Sequence, residues 1–219
     1  MTQSAPSKLA QVLQAGQFAM TAETSPPDSA SAETVLNRVA CLKDIADAVN
    51  VTDGASARVH MSALATAAIM AREGIDPVLQ MTTRDRNRLA LQGDALGAAA
   101  LGINNFLCLT GDKMKAGDQP DAAEVFEIDS GEMMRQMRDM RDKGEFPSGR
   151  SIDPAPALFL GAAEMPAEPG DNWPAGRLQA KIDNGTQFFQ TQYCFDLEKV
   201  KRYCQGLVDG GFTEQAYFL

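Results

Sequence analysis

Short apolar runs alternate along the chain with longer stretches in which apolar residues recur every three or four positions. The first pattern is that of buried strands, the second that of helices packed on them. The runs fall at 17–24 (QFAMTAET), 47–53 (DAVNVTD), 76–83 (DPVLQMTT), 104–112 (NNFLCLTGD), 157–164 (ALFLGAAE), 188–195 (FFQTQYCF) and 215–219 (QAYFL). Helices are predicted between them near 31–46, 57–73, 85–101, 130–143, 174–184 and 197–209. The clearest is 85–101, where Leu89, Gly93, Leu96 and Ala100 recur at helical spacing and Gly102 follows as a stop.

Such strict alternation is the mark of a parallel α/β fold. Two architectures compete. A doubly wound sheet would carry a glycine-rich G-x-G-x-x-G turn after its first strand, and none is present. The pattern therefore favours a (β/α)8 TIM barrel over residues 1–219, a single domain one strand short of eight, ending at its seventh strand with the C-terminal part of the barrel missing. Residues 113–129 and 144–156, rich in Gly, Pro, Asp and Ser, read as loops. The first follows a strand end, where barrel enzymes place their active-site loops.

Composition narrows the function. At 44% hydrophobic residues the 219-residue chain can bury a core, and its 20 basic against 29 acidic residues give a net charge of −9. That charge repels phosphates and anionic lipid, which argues against a nucleic-acid or membrane role. No run of 18 apolar residues and no apolar N-terminal core of signal-peptide type is present, so the expected location is cytoplasmic. Cys41, Cys108, Cys194 and Cys204 lack metal-ligand spacing, and His60 is the only histidine; no metal is expected. The scattered cysteines read as reduced thiols, with Cys108 and Cys194 as small strand hydrophobes.

Barrel enzymes draw their chemistry from the C-terminal strand ends. Those ends carry Glu23, Thr52 and Asp53, Thr82 to Arg84, Thr110 to Asp112, Glu164 and Gln192. Glu23, between apolar residues and Pro26-Pro27, is expected to be buried, which would raise its pKa toward that of a general acid. Three arginines, Arg84, Arg86 and Arg88, crowd what reads as a first helical turn, where the macrodipole disfavours cations. Either Asp85 and other acids neutralise them, or they are held at the mouth for an anionic ligand, and Lys181 could reach a phosphate there. Met133, Met137 and Met140 share one helical face and read as core; Trp173 reads as a packing anchor.

Three segments in order give a resemblance. TAETSPP (21–27), TTRDRNRLALQGDALGAAALGINNFLCLTGD (82–112) and AKIDNGTQFFQTQYCFD (180–196) resemble the methylenetetrahydrofolate reductases from about residue 17 to the last residue. The resemblance implies a (β/α)8 barrel that uses a flavin, usually FAD, to reduce 5,10-methylenetetrahydrofolate to 5-methyltetrahydrofolate in one-carbon metabolism and methionine biosynthesis. It implies that Glu23 is the general acid that protonates folate N10, and that Asp112 lies beside the flavin N1 and the pterin. A carboxylate there would disfavour the anionic reduced flavin and favour the cationic folate iminium. Gln192 would bond the pterin edge, and Thr52, Gln80, Thr110, Gly111, Asp112 and Lys181 would contact the flavin and its phosphates.

The chain also departs from the family pattern. Gln80 stands where some members carry a histidine, and Ala162 and Pro166 stand where aromatic or histidine contacts to FAD can occur. FMN, or no flavin, is therefore an alternative. The second functional reading is a folate-binding barrel, non-catalytic or flavin-independent, acting as a subunit of a one-carbon complex. The electron donor, NADH, NADPH or a protein, is written in no motif. An open seven-strand sheet would leave two bare edges, so the chain is expected to be a shortened form of a longer polypeptide, or to be completed by a partner chain or a second copy.

Overall fold

The computed structural model describes residues 7–168, 173 and 175–219. Seven strands form one parallel sheet in the order β1-β2-β3-β4-β5-β6-β7. They are β1 (Thr21–Thr24), β2 (Ala48–Val51), β3 (Pro77–Thr82), β4 (Asn105–Leu109), β5 (Phe159–Glu164), β6 (Phe188–Thr191) and β7 (Tyr217–Phe218). Helices α2 (Ala32–Val39), α3 (Ala63–Arg72), α4 (Arg88–Ala100), α5 (Ser130–Lys143), α6 (Ala175–Asp183) and α7 (Leu197–Asp209) each connect one strand to the next. Sequential order with a helical crossover at every step is the winding of a TIM barrel, and the doubly wound alternative is excluded. The sheet curls into a barrel that stays open between β1 and β7: no pairing joins these two strands among the described residues.

Two apolar layers follow from the strand period of two. Val49, Val51, Leu79, Met81, Phe106, Cys108, Leu160 and Phe189 point outward into the main core beneath the helices. Alternate residues Ala48, Val78, Leu107, Phe159 and Phe188 point inward. Phe188 stacks on Phe159 with centroids 5.0 Å apart. Its ring lies over Gly161, where a Cβ would come within 2.2 Å of it, so only glycine fits.

The floor of the barrel is a helix that the sequence pattern did not predict. α1 (Lys8–Gln14) inserts Leu9, Ala10 and Leu13 into the inward-facing cluster. Ser7 caps it, accepting from Ala10 N–H at 3.1 Å, and Asp76 accepts from Leu9 N–H at 2.9 Å. Burial raises the Asp76 carboxyl above its ordinary range.

Elsewhere the elements lie where expected; α5 and α7 have the expected bounds and the others are shorter. The stretch 31–46 is helical only to Leu42, and 57–73 becomes α3 from Ala63. In α4 the buried stripe is Leu91, Ala95 and Ala98, while Leu89 is exposed. The buried face is therefore rotated from the expected one, and Asn87 caps the helix, which starts later than the pattern suggests. The methionines of α5 are core as expected, with Met134 joining Met133, Met137 and Met140. Trp173 packs edge-on against Tyr203 at 5.8 Å; most of the segment around it lies outside the described residues. β6 ends at Thr191, so Cys194 sits in a loop rather than a strand. Cys108 is buried in β4, and burial pushes its thiol up to about 12. Among the described residues no helix is long and apolar enough to cross a membrane.

Candidate functional site

Above the apolar floor the inward-facing positions turn polar. Glu23, Asn50, Gln80 and Gln190 continue the inward rows of β1, β2, β3 and β6 toward the C-terminal mouth. A cavity of about 410 Å³ opens there, a size suited to a small organic ligand. Its wall brings together Glu23, Thr52, Gln80, Thr110, Gly111, Asp112 and Gln192, from five different strand ends. These residues lie far apart in the chain and meet only because the strands are parallel and end on one side.

Glu23 is exposed, contrary to expectation. β1 is an edge strand of an open barrel, so no neighbouring strand screens its inward side chain. Its carboxylate accepts from Gln80 Nε2 at 3.1 Å. Gln80 itself is almost fully buried and fixes where Glu23 points. Asp112 and Gln192 are both exposed to the mouth. Gln192 is anchored through its backbone, whose N–H donates to Glu164 O at 2.8 Å. Gly111 gives the Thr110–Asp112 turn its shape with φ +94, a conformation that side chains disfavour. Thr110 donates to Ser130 Oγ at 3.2 Å, across to the start of α5.

The arginine cluster resolves in favour of internal neutralisation. α4 begins only at Arg88, so Arg84 and Arg86 precede the helix and do not oppose its dipole. Arg84 is buried and held at 2.7 Å by both oxygens of Asp85, which keeps its guanidinium above the ordinary range. It also donates to Gly54 O at 3.2 Å and Asp112 O at 3.4 Å, while its own carbonyl accepts from Val125 N–H at 2.7 Å. One side chain thereby ties together the loops after β2, β3 and β4, including the backbone of Asp112. Arg86 pairs with Asp53 and Asp94, and Arg88 with Glu127.

Lys181 does not line this cavity. It lines a smaller pocket of about 160 Å³ behind β4 and β5, which shares Leu109, Thr110 and Ala163 with the first. There its ammonium donates to Ala163 O at 2.6 Å and to Glu164 at 2.8 Å. The N-terminus of α5 and Thr186, whose buried hydroxyl has no partner, complete the pocket. A third cavity of about 460 Å³ occupies the opening between β1 and the β6–β7 edge and shares Glu23, Gln192 and Tyr193 with the mouth. Among the described residues no group of three or more His, Cys, Asp or Glu could hold a metal.

Sequence reasoning missed Gln190 and Tyr193 as lining residues. Gln190 was findable, since it shares the inward alternation of Gln192 two positions on. Tyr193 belongs to an irregular loop and carries no such signal.

Polar groups gathered at the C-terminal mouth of a parallel barrel, over an apolar floor, define an α/β-barrel protein with its site where such barrels carry theirs. The chain belongs to the methylenetetrahydrofolate reductase family, whose model matches residues 8–216. No curated protein sequence matches it significantly. Among solved structures it is similar to an uncharacterized protein from Clostridium thermocellum that binds two copies of 5-methyl-5,6,7,8-tetrahydrofolic acid. That likeness has 12% identity and a TM-score of 0.63, and covers 95% of this chain and 66% of the other. A 2,3-dimethylmalate lyase of the PEP mutase/isocitrate lyase superfamily matches at 13% identity and TM-score 0.61, over 100% and 79% of the two chains. The tryptophan synthase α2β2 complex from Pyrococcus furiosus matches at 14% and 0.51, over 92% and 86%. At these identities the likeness is one of fold.

Proposed function

We propose that the protein is a cytoplasmic oxidoreductase that reduces 5,10-methylenetetrahydrofolate to 5-methyltetrahydrofolate with a flavin, FAD in first place. The observation that carries this reading is the meeting of Glu23, Gln80, Asp112 and Gln192 around one mouth cavity in a member of this family. The folate bound by the Clostridium thermocellum protein of the same fold supports the substrate class.

The residues present fit a flavin. Thr52, Thr110, Gly111 and Asp112 would hold its ring system, and Lys181 and the α5 N-terminus suit a phosphate. The bound flavin would supply hydride chemistry, with NADH, NADPH or a protein as the electron source. The chain's own residues do the rest. Gln80 holds the Glu23 carboxyl toward the cavity, where, in its protonated form, it delivers a proton to the folate N10. Asp112, its backbone fixed by Arg84, places negative charge where a cationic iminium is favoured. Gln192 offers both a donor and an acceptor to the pterin edge.

Glu23→Gln is the test. Folate reduction should fall by about two to four orders of magnitude, the usual worth of a positioned general acid. Flavin binding and flavin reduction by the donor should persist. Near-normal folate turnover would remove Glu23 from the chemistry. The second reading, a folate-binding barrel without flavin, is favoured by one observation: Lys181 is already held by Glu164 and Ala163. A visible absorption spectrum of the purified protein separates the two.

A further inference from the structure

Glu164 ends β5 with a side chain only 1% exposed. One oxygen accepts from Met165 N–H at 3.1 Å and from Arg177, the other from Lys181 at 2.8 Å. Two cations and a backbone N–H thus surround this deeply buried carboxylate, as burial of a charge demands. The cations are not equivalent in placement. Arg177 is 55% exposed, whereas Lys181 is 29% exposed and lines the small pocket behind β4 and β5.

That pocket has the features of an anion site. The 14-residue helix α5 presents its N-terminus there through Ser130 and Gly131. Thr186, 3% exposed, also lines it, and its buried hydroxyl has no partner among the described residues. Lys181 is the one charged residue in its lining among the described residues. An ammonium has three donors, and two of them go to Ala163 O and Glu164. Among the described residues the third has no partner, and the ammonium already contacts an opposing charge in Glu164.

We propose that Glu164 is a built-in counter-anion that sets how weakly this pocket holds a phosphate group. A phosphate bonded to Lys181 shares that ammonium with the carboxylate and is repelled by it at short range, where screening by water is weak. The inference rests on the flavin reading above, and its consequence is a flavin that exchanges with solution rather than one permanently held.

The experiment compares FAD, FMN and riboflavin, titrated against the unmodified protein and Glu164→Gln by flavin fluorescence. The amide keeps an acceptor for Lys181 but removes the charge. FAD and FMN should bind about tenfold more tightly to the variant, a modest share of the Coulomb interaction at such separations. Riboflavin, which lacks a phosphate, should bind both proteins equally. Unchanged FAD and FMN affinity, or an equal gain for riboflavin, overturns the proposal. Glu164→Asp, which draws the charge back from Lys181, should shift FAD in the same direction and serves if the glutamine variant does not fold. If the unmodified protein binds no flavin, the flavin reading fails on its own account. Inorganic pyrophosphate, titrated by calorimetry, then tests Glu164 directly: tighter binding to the variant supports the role, and equal or absent binding overturns it.

Discussion

Asp112 and Glu23 are two carboxylates on opposite walls of one cavity, and their settings differ. Glu23 is met by the Gln80 amide at 3.1 Å, whereas the Asp112 backbone is fixed through its carbonyl by Arg84 at 3.4 Å. On the proposed function Asp112 sets the electrostatics of the flavin. Asp112→Asn should therefore raise the flavin reduction potential by on the order of 30 mV, one tenfold step for a two-electron couple. Folate reduction should fall while reduction of the flavin by the donor is unchanged or easier. A spectroelectrochemical titration gives the potential, and an unchanged value would remove Asp112 from the flavin's vicinity. Which side chains meet at the mouth was largely legible, because strand ends are marked by the passage from apolar to polar residues. Burial was not. The exposure of Glu23 depends on whether β1 has a neighbour on its far side, a long-range fact that no local pattern carries. The partner of Lys181 was hidden for the same reason: Glu164 was read as one more polar strand end, and only folding brings it within 2.8 Å of a helix 17 positions on.

At the scale of elements, helices with a capped start and a wide apolar face could be read from sequence, as α5 and its methionines show. α1 could not. It has only seven residues, too few to be stable alone, and its apolar residues are spaced over just two turns. Its stability comes from the barrel floor, where Leu9 is fully buried against inward-facing strand residues. Leu9→Ala should accordingly cost about 2–5 kcal/mol, the usual range for a buried leucine truncated to alanine. Urea denaturation followed by circular dichroism would measure it, and a cost below about 1 kcal/mol would show that α1 is not part of the cooperative core. The ends of β6 and α4 were misjudged for a related reason. In each, a hydrogen bond and not the apolar pattern marks the boundary: β6 makes its last ladder bond to β5 at Gln192 N–H to Glu164 O, and Asn87 capping Ala90 N–H at 3.0 Å starts the helix.

For the whole molecule, the open side of the barrel is the feature with the largest consequence. β1 bonds to β2 and β7 to β6, and their outer edges face a cavity of about 460 Å³ rather than each other. Two buried polar atoms without partners among the described residues, Asn50 Oδ1 and the Tyr203 hydroxyl, belong to residues lining that cavity. Burial, with the nearby Glu164 charge, pushes the Tyr203 hydroxyl pKa upward, so it remains a neutral donor in search of an acceptor. Beside it, Tyr193 and Phe195 are 81% and 98% exposed. Bare parallel edges next to exposed aromatics favour association, since strand backbones left unpaired are templates for further pairing. From these exposed edges and aromatics we propose that two copies of this 219-residue chain associate along this side in solution. Light scattering should then give twice the 23.5 kDa chain mass. Hydrogen exchange at Thr21–Thr24 and Tyr217–Phe218 should slow as protein concentration rises, while the central strands β3 and β4 stay protected throughout. A monomer whose edge strands exchange at the same rate at every concentration would show that two copies do not associate along this side.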